Sequence, residues 1–211
     1  SLQTLNLESN HLDGITELDA RYIGVGLSLL PNLTELSLSK NRVGSCAKYF
    51  HQLLLSNTTL TSLSLAGTEM NDEGVEFIFA SLKHNSTLKR LDLGFNQITL
   101  SPCPSLPTFL ASNTTLTSLS LHHNPISDDG LQNLATELPY NRGLQMLLLH
   151  KIRSTDFTPF EHLQHENTLL TVLSFPNLTK EDTNFLRRNR LRSTTLLQLA
   201  DPVSKLNHIL F

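Results

Sequence analysis

Residues 56–65 read SNTTLTSLSL, and the same ten letters return at residues 112–121. The two copies begin 56 positions apart, and residues 84–93, which begin halfway between them, read HNSTLKRLDL. The phrase therefore has a period of 28 residues. A fixed period of this length is the signature of a repeat protein, in which similar units stack along one axis.

Segments of the form L-x-x-L-x-L-x-x-N/T follow this period, and we number their positions from the first leucine. The leucines at positions 4 and 6 point to one side of a short strand, while residues at positions 3 and 5 point to the other. A single repeat has nothing on which to pack its leucines, so the units bury them only by stacking. The pattern predicts a solenoid of seven strands. The segments begin at Leu2, Leu33, Leu60, Leu88, Leu116, Leu144 and Leu170.

The second half of each unit has the periodicity of a helix. Residues 71–85 and 127–141 both place apolar side chains at i, i+3, i+4 and i+7 spacing, with acidic residues at the expected helix starts. An asparagine follows each helical stretch, where the chain must turn toward the next strand, and asparagine tolerates turn geometry. These asparagines are Asn57, Asn85, Asn113 and Asn141.

This alternation of strand and helix resembles the leucine-rich-repeat proteins, and the 28-residue period is similar to that of their ribonuclease-inhibitor-type subclass. The resemblance implies an α/β right-handed solenoid, or horseshoe, with a concave parallel sheet and convex helices. Strands stack about 4.8 Å apart whereas helices need about 8–10 Å, so the outer layer must fan out. We expect the solenoid over residues 1–195 and a C-terminal cap over residues 196–211.

The first residue lies in the middle of a repeat motif. A bare strand edge invites pairing, so we expect the natural protein to continue upstream. An alternative function follows from this expectation. The chain would then be the targeting or autoinhibitory domain of a larger enzyme whose catalytic part lies upstream.

Composition limits the classes of partner. The net charge of −3 and the pI near 6.3 provide no general attraction to nucleic acid or to an anionic membrane. No apolar stretch approaches the roughly 20 residues of a membrane-spanning helix. Cys46 and Cys103 belong to the outer halves of repeats that are not adjacent, too far apart for a disulfide. Free thiols favour a reducing compartment, so we expect a cytoplasmic protein.

Candidate binding residues occupy the outward positions of the strands and the loops that follow them. The sixth strand turns Met146 and Leu148 toward the open face, with Val172 beside them. Adjoining exposed apolar groups usually mark a binding site, although the C-terminal cap folding over them is an alternative. Phe95 and a set of histidines surround this patch, and packing of Phe95 along the sheet edge is a second reading of that residue.

Seven strands offer a concave face of about 380 Å², which is less than the roughly 800 Å² that each partner contributes to a standard interface. The loops after the strands must therefore join the interface, which adds positions 7 and 8 to the site. The predicted protein-binding residues are Glu8, Glu35, Lys40, Arg90, Asp92, Phe95, His122, His123, Met146, Leu148, His150, Lys151 and Val172.

Enzyme chemistry is not expected from this sequence. His122 and His150 hold equivalent positions in adjacent repeats and should approach to about 5 Å. A zinc or nickel site needs a third ligand, and no acidic residue lies at position 7 or 8 of repeats 4 to 7. Serines along the face lack a base and a carboxylate at fitting positions. We therefore expect no catalytic residues, no metal, no cofactor and no small-molecule substrate.

The sequence thus favours a non-enzymatic module that recognises a partner protein through its concave face and rim. Inhibition of the partner, by covering its active surface, is one outcome that this geometry allows. Asparagine or threonine occupies the turn where animal members tend to carry cysteine, and tryptophan is absent. In this the chain resembles the repeat proteins that intracellular bacterial pathogens deliver into host cells as virulence effectors. A host protein or a fellow effector in the host-cell cytosol is then the expected partner.

Overall fold

The computed structural model describes residues 2–12, 17–154, 158–160 and 169–174. The predicted cap at residues 196–211, and the end of the predicted solenoid after residue 174, lie outside this described part of the chain.

Within the described residues, seven parallel strands form one open sheet, in which each strand pairs with its neighbours in chain order. The register aligns the leucines at position 4, so that Leu63 lies opposite Leu91 and Leu91 lies opposite Leu119. The predicted α/β solenoid with one strand per repeat is confirmed. The strands are β1 (Thr4–Asn6), β2 (Glu35–Ser37), β3 (Ser62–Ser64), β4 (Arg90–Asp92), β5 (Ser118–Ser120), β6 (Met146–Leu148) and β7 (Val172–Ser174).

Helices connect the strands, and those predicted at 71–85 and 127–141 are confirmed. Each of these two helices begins after a capping side chain, because Asn71 accepts a hydrogen bond from the Gly74 N–H and Ser127 accepts one from the Gly130 N–H. The α-helices are α1 (Glu17–Ser28), α2 (Ala47–Ser56), α3 (Asp72–Leu82), α4 (Ser105–Ser112) and α5 (Asp128–Glu137), with 3-10 turns at Gly44–Cys46 and Thr158–Phe160.

The core is a continuous apolar layer between the sheet and the helices. The leucines at positions 4 and 6 of the central strands are buried on its sheet side, and the apolar helix residues are buried opposite them. The rings of Phe79 and Phe109, from neighbouring helices, stack with centroids 4.9 Å apart. Each repeat therefore buries its apolar side against the next one, as stacking requires.

Both cysteines lie in the outer layer of the solenoid, just before a helix. Cys46 and Cys103 are buried free thiols, so the prediction that they form no disulfide with each other is confirmed. Burial, with the nearby Glu76 carboxylate, raises the pKa of the Cys103 thiol to about 12. This thiol therefore stays protonated at neutral pH.

A buried asparagine at position 9 connects one repeat to the preceding one. The Asn96 side chain donates hydrogen bonds to the carbonyl oxygens of Leu65 in the preceding repeat and Leu93 in its own repeat, at 2.9 and 3.0 Å. Its oxygen accepts hydrogen bonds from the N–H groups of Thr68 and Met70, at 2.9 and 3.0 Å. Backbone groups that would otherwise be buried without partners are thereby satisfied. Asn41 and Asn124 make equivalent contacts.

A second set of asparagines follows the helices. The Asn85 oxygen accepts hydrogen bonds from the N–H groups of Thr87 and Leu88, while its amide donates to the Leu54 carbonyl oxygen near the end of α2. Asn57 and Asn113 have extended backbones with φ near −80°. Hydrogen bonding by the side chain, rather than tolerance of an unusual turn, is thus the reason for asparagine here. Asn113 and Asn141 repeat the link to the preceding helix.

Replacing Asn96 with alanine should destabilise the fold by about 3 kcal/mol, because several buried backbone groups lose their partners together. The measurement is the free energy of unfolding from urea titration followed by circular dichroism. Asn71→Ala is the control, since it removes a single helix-capping hydrogen bond and should cost about 1 kcal/mol. Equal destabilisation by the two substitutions would contradict this role of Asn96.

Candidate functional site

Position 8 adopts a left-handed backbone conformation in every repeat in which the structure describes it. The φ angles of the six described residues at this position lie between 53° and 65°. The conformation costs a non-glycine residue roughly 1–2 kcal/mol, but hydrogen bonds to the next repeat stabilise it. The N–H of Phe95 donates to the His122 carbonyl oxygen at 2.9 Å, and that of His123 donates to the His150 carbonyl oxygen at 3.0 Å. We call this row the rim; it consists of Ser9, Lys40, Gly67, Phe95, His123 and Lys151.

Position 5 forms the floor of the concave face, which we define as Ser37, Ser64, Asp92, Ser120 and Leu148. Neighbouring side chains crowd together there, because a concave surface brings them closer than a flat one. Ser64, Asp92, Ser120 and Leu148 line one shallow depression together with the position-3 residues Ser62, Arg90 and Ser118.

The prediction that Leu148 is an exposed contact residue is wrong. Leu148 faces the depression, but only 4% of its surface is exposed. Asp92 and His122, also predicted contact residues, are buried at the floor and just after it. The crowding at position 5 explains this burial. The apolar patch that the sequence predicts is therefore reduced to Met146 and Val172, which are half-buried at position 3.

Four of the predicted charged residues form pairs with one another. The Lys40 ammonium lies 2.7 Å from a Glu8 carboxylate oxygen, and the Arg90 guanidinium lies 2.9 Å from a Glu35 carboxylate oxygen. All four side chains are exposed, so each pair contributes at most about 1 kcal/mol to stability. The charges cancel within each pair, which leaves this part of the face polar without a dominant sign.

Three imidazoles and one phenyl ring gather where β4, β5 and β6 end. The His122 and His150 rings stack with centroids 4.8 Å apart, which confirms their predicted approach. The His123 centroid lies 5.2 Å from that of His122 and 5.6 Å from that of His150. Phe95 stacks on His123 at 4.0 Å and leaves 55% of its own surface exposed. We call His122, His123 and His150 the histidine cluster.

The expectation that a third metal ligand is missing is wrong. His123, at position 8 of the same repeat as His122, supplies it through the left-handed turn of the rim. One ring nitrogen from each of the three histidines lies within 4.8 Å of the others.

A glycine makes room for the cluster. A Cβ atom at Gly94 would lie 2.2 Å from Cε1 of His122, so the imidazole occupies the space that any other residue would fill. The buried Nδ1 atom of His123 has no hydrogen-bond partner among the described residues. An unsatisfied buried group of this kind costs about 1–3 kcal/mol.

A chain of hydrogen bonds fixes the orientation of His122. Asp92 accepts hydrogen bonds from the Gly94 N–H at 2.9 Å and from the Ser64 hydroxyl at 3.4 Å, and the nearby Ser120 hydroxyl also lowers the pKa of Asp92 as a hydrogen-bond donor. A hydroxyl has one proton, so when Ser120 donates it to the Asp92 carboxylate, the Ser120 oxygen accepts from His122 Nδ1–H, 2.5 Å away. In that arrangement the lone pair of His122 lies on Nε2.

This arrangement differs from a nucleophilic triad. The sequence indicated no base and no carboxylate near the serines, yet the structure brings both to Ser120. In a triad the carboxylate orients the histidine and the histidine activates the serine. Here the carboxylate binds the serine hydroxyl directly, and Ser120 is only 2% exposed. The hydroxyl therefore orients a histidine and is covered from any substrate.

Burial also determines the charge of these groups. Burial raises the pKa of Asp92 to about 6, partly offset by its hydrogen bonds. Burial, together with the neighbouring His150, His123 and Lys151, lowers the pKa of His122 to about 4. The pKa values of His123 and His150 are also lowered, with burial the largest cause and Lys151 contributing to both. All three imidazoles are thus neutral at pH 7.

Comparisons with known proteins address the fold. A family profile described as "Leucine Rich repeat" matches residues 30–45, 56–79, 84–101 and 112–135, so the chain contains leucine-rich repeats. No curated protein sequence matches the chain significantly.

Among the described residues, every helix is too short or too polar to cross a lipid bilayer.

The solved structures that resemble the chain include two that are named after leiomodin-1 and tropomodulin. One is described as leiomodin-1 actin-binding site 2, with 23% identity and a TM-score of 0.57 over 85% of this chain and 92% of the other. The second is the tropomodulin C-terminal domain of Caenorhabditis elegans, with 13% identity and a TM-score of 0.50 over 82% of this chain and 95% of the other. At these identities the likeness establishes a shared fold.

The two buried ionisable groups should change stability with pH in opposite directions. Since the Asp92 pKa rises from 3.8 to about 6 on folding, its contribution to stability falls as pH increases from about 4 to 6. Since the His122 pKa falls from 6.5 to about 4, its contribution rises as pH increases from about 4 to 6.5. The two effects partly cancel in the wild-type protein.

Single substitutions should separate these effects. The free energy of unfolding of Asp92→Asn minus that of wild type should increase by on the order of 2 kcal/mol from pH 4.5 to pH 7. The same difference for His122→Gln should decrease by a similar amount. Urea unfolding at both pH values measures each difference. If the difference between a variant and wild type does not change with pH, the result would contradict the burial of the ionisable group that the variant removes.

Proposed function

We propose that this chain is a non-enzymatic module that binds a folded protein through its concave face and rim. The observation that carries the proposal is the exposure of Phe95. Among the described residues, the other exposed large apolar side chains lie on the helices, in the turns after them, or at Leu2. Phe95 alone in this set projects from the rim, beside the depression in the concave face.

Phe95 has the properties of an anchor residue. Its ring stacks on His123, so it is held in place before a partner arrives and loses little conformational freedom on binding. Burial of an apolar side chain of this size contributes about 1.5–3 kcal/mol. Aromatic residues surrounded by polar groups dominate many interfaces. Met146 and Val172 are half-buried on the concave face and provide a second, smaller apolar contact.

The charged residues would then act mainly in specificity. Glu8 and Lys40 pair at one end of the rim, and Glu35 pairs with Arg90 across β3. A partner could exchange these pairs for its own, which favours surfaces that carry both signs of charge. Lys151 remains exposed beside the histidine cluster and favours an acidic group there.

Finer assignments extend the same proposal. We propose the ribonuclease-inhibitor-type subclass, because helices accompany the 27- and 28-residue steps between the central segments. Scarce cysteine and abundant asparagine support a bacterial effector that acts in the host-cell cytosol. The partner would then be a host protein, whose function the chain inhibits by covering its surface, or a fellow effector.

One protein is a defined candidate for the first assay. The structure of leiomodin-1 that resembles this chain is described as an actin-binding site. Cosedimentation with filamentous actin, and binding to monomeric actin, would test whether this chain shares that partner.

Affinity capture with matched variants tests the wider proposal. Wild-type chain, Phe95→Ser, Met146→Glu and Phe77→Ser would each be immobilised and exposed to lysates of animal cells and of bacteria. Phe77→Ser is the control, because it removes an exposed phenylalanine from the outer helix α3. For a partner purified from the capture, Phe95→Ser should weaken binding by about 10–100-fold, while Phe77→Ser should leave it unchanged.

Two outcomes would contradict the proposed surface. One is equal affinity of wild type and Phe95→Ser for every captured protein, with the variant folded as judged by circular dichroism. The other is loss of binding in Phe77→Ser, which would place the interface on the convex side.

A further inference from the structure

We propose that His122, His123 and His150 form a binding site for a divalent transition-metal ion of the zinc class. The proposal stands on the geometry of the histidine cluster and does not require that the concave face bind a protein. It assigns to the cluster three imidazole ligands and leaves a fourth position toward the solvent at the rim.

The ligand set suits such an ion. Neutral imidazole is a preferred ligand for zinc, copper and nickel, and three histidines with one open position form a recurrent zinc arrangement. The three ring nitrogens already lie within 4.8 Å of one another. Zinc–nitrogen bonds of about 2.0–2.1 Å place tetrahedral ligands about 3.3 Å apart, so the ring nitrogens need to converge by up to about 1.5 Å. His123 and His150 are partly exposed and have room for this adjustment.

The surroundings of His122 support the assignment. Its Nδ1 lies 2.5 Å from the Ser120 hydroxyl; when that hydroxyl donates to Asp92, His122 donates its Nδ1–H to Ser120, which fixes the ring and leaves the Nε2 lone pair available. Metal-bound histidines commonly donate their second ring N–H to an oxygen acceptor, and loss of such an acceptor typically weakens binding by 10–100-fold. The chain from His122 to a buried carboxylate therefore matches the support that a metal ligand needs.

The other two histidines and their neighbours add to this case. The buried Nδ1 of His123 has no hydrogen-bond partner among the described residues, so it could exchange a proton or ligate an ion without breaking an existing bond. Phe95 covers one side of His123 and excludes water there.

One neighbouring charge opposes binding. Lys151 follows His150 and lies close enough to lower the pKa of each histidine in the cluster. Its ammonium must also repel a bound cation. Removing this charge should therefore tighten metal binding, which distinguishes a site at the cluster from a site elsewhere on the surface.

Calorimetric titration of the tag-free, chelator-treated chain with Zn²⁺ tests the proposal. We expect one ion per chain. His123→Gln and His150→Gln should each weaken binding at least 100-fold, Ser120→Ala should weaken it about 10–100-fold, and Lys151→Ala should tighten it about threefold or more. His84→Gln is the control, because His84 lies in the turn before β4, whereas the cluster follows the ends of β5 and β6. It should bind as wild type does.

Co²⁺ provides an independent readout of the ligand geometry. Bound at three imidazoles and one water molecule, it should give the visible absorption of four-coordinate cobalt in wild type and lose it in His150→Gln. Absence of Zn²⁺ binding to folded wild type would overturn the proposal. Binding that is equally strong in His123→Gln and His150→Gln would also overturn it, because the ion would then occupy another part of the chain.

Discussion

Buried asparagine side chains hold each repeat in register with the one before it. Asn96 both donates to and accepts from backbone groups of the preceding repeat, and Asn85 makes the corresponding link on the helix side. A shift of one residue would leave several buried groups without partners, at about 1–3 kcal/mol each. The register is therefore fixed, and residues about 28 positions apart in the chain become neighbours in space.

Fixed register assembles the candidate site from separate repeats. Ser120 ends β5 and His150 follows β6, yet both contact His122, and Asp92 at the end of β4 lies beside Ser120. Curvature of the sheet then makes the floor and the rim of the concave face different in their exposure. The crowded floor holds a buried polar network whose groups support one another, whereas the open rim leaves Phe95 and neighbouring side chains accessible. Contact with a partner is therefore expected mainly at the rim. The sequence had instead predicted a binding surface centred on the sixth strand.

The sequence predicted those features of the fold and the site that follow from the repeat period. The leucines specified seven strands in parallel register, and the equivalent positions of His122 and His150 predicted their contact. The sequence did not predict the burial of Leu148, because that depends on how tightly the curved sheet crowds position 5. The third imidazole was also missed. His123 reaches the cluster through a left-handed backbone that position 8 adopts with phenylalanine, histidine or lysine alike, so no residue type signals it. The contact between Ser120 and His122 was not predicted either, because it depends on the hydrogen-bond geometry of the folded chain.

The most direct test of this account is a nuclear Overhauser measurement on selectively labelled protein. If the repeats stack in the register described, the ring Hε1 proton of His122 lies against the Hα protons of Gly94, and a strong cross-peak should join them. A weaker cross-peak should join the His122 and His150 rings. Absence of the first cross-peak in the folded protein would contradict the register, and with it the histidine cluster and the rim that depend on it.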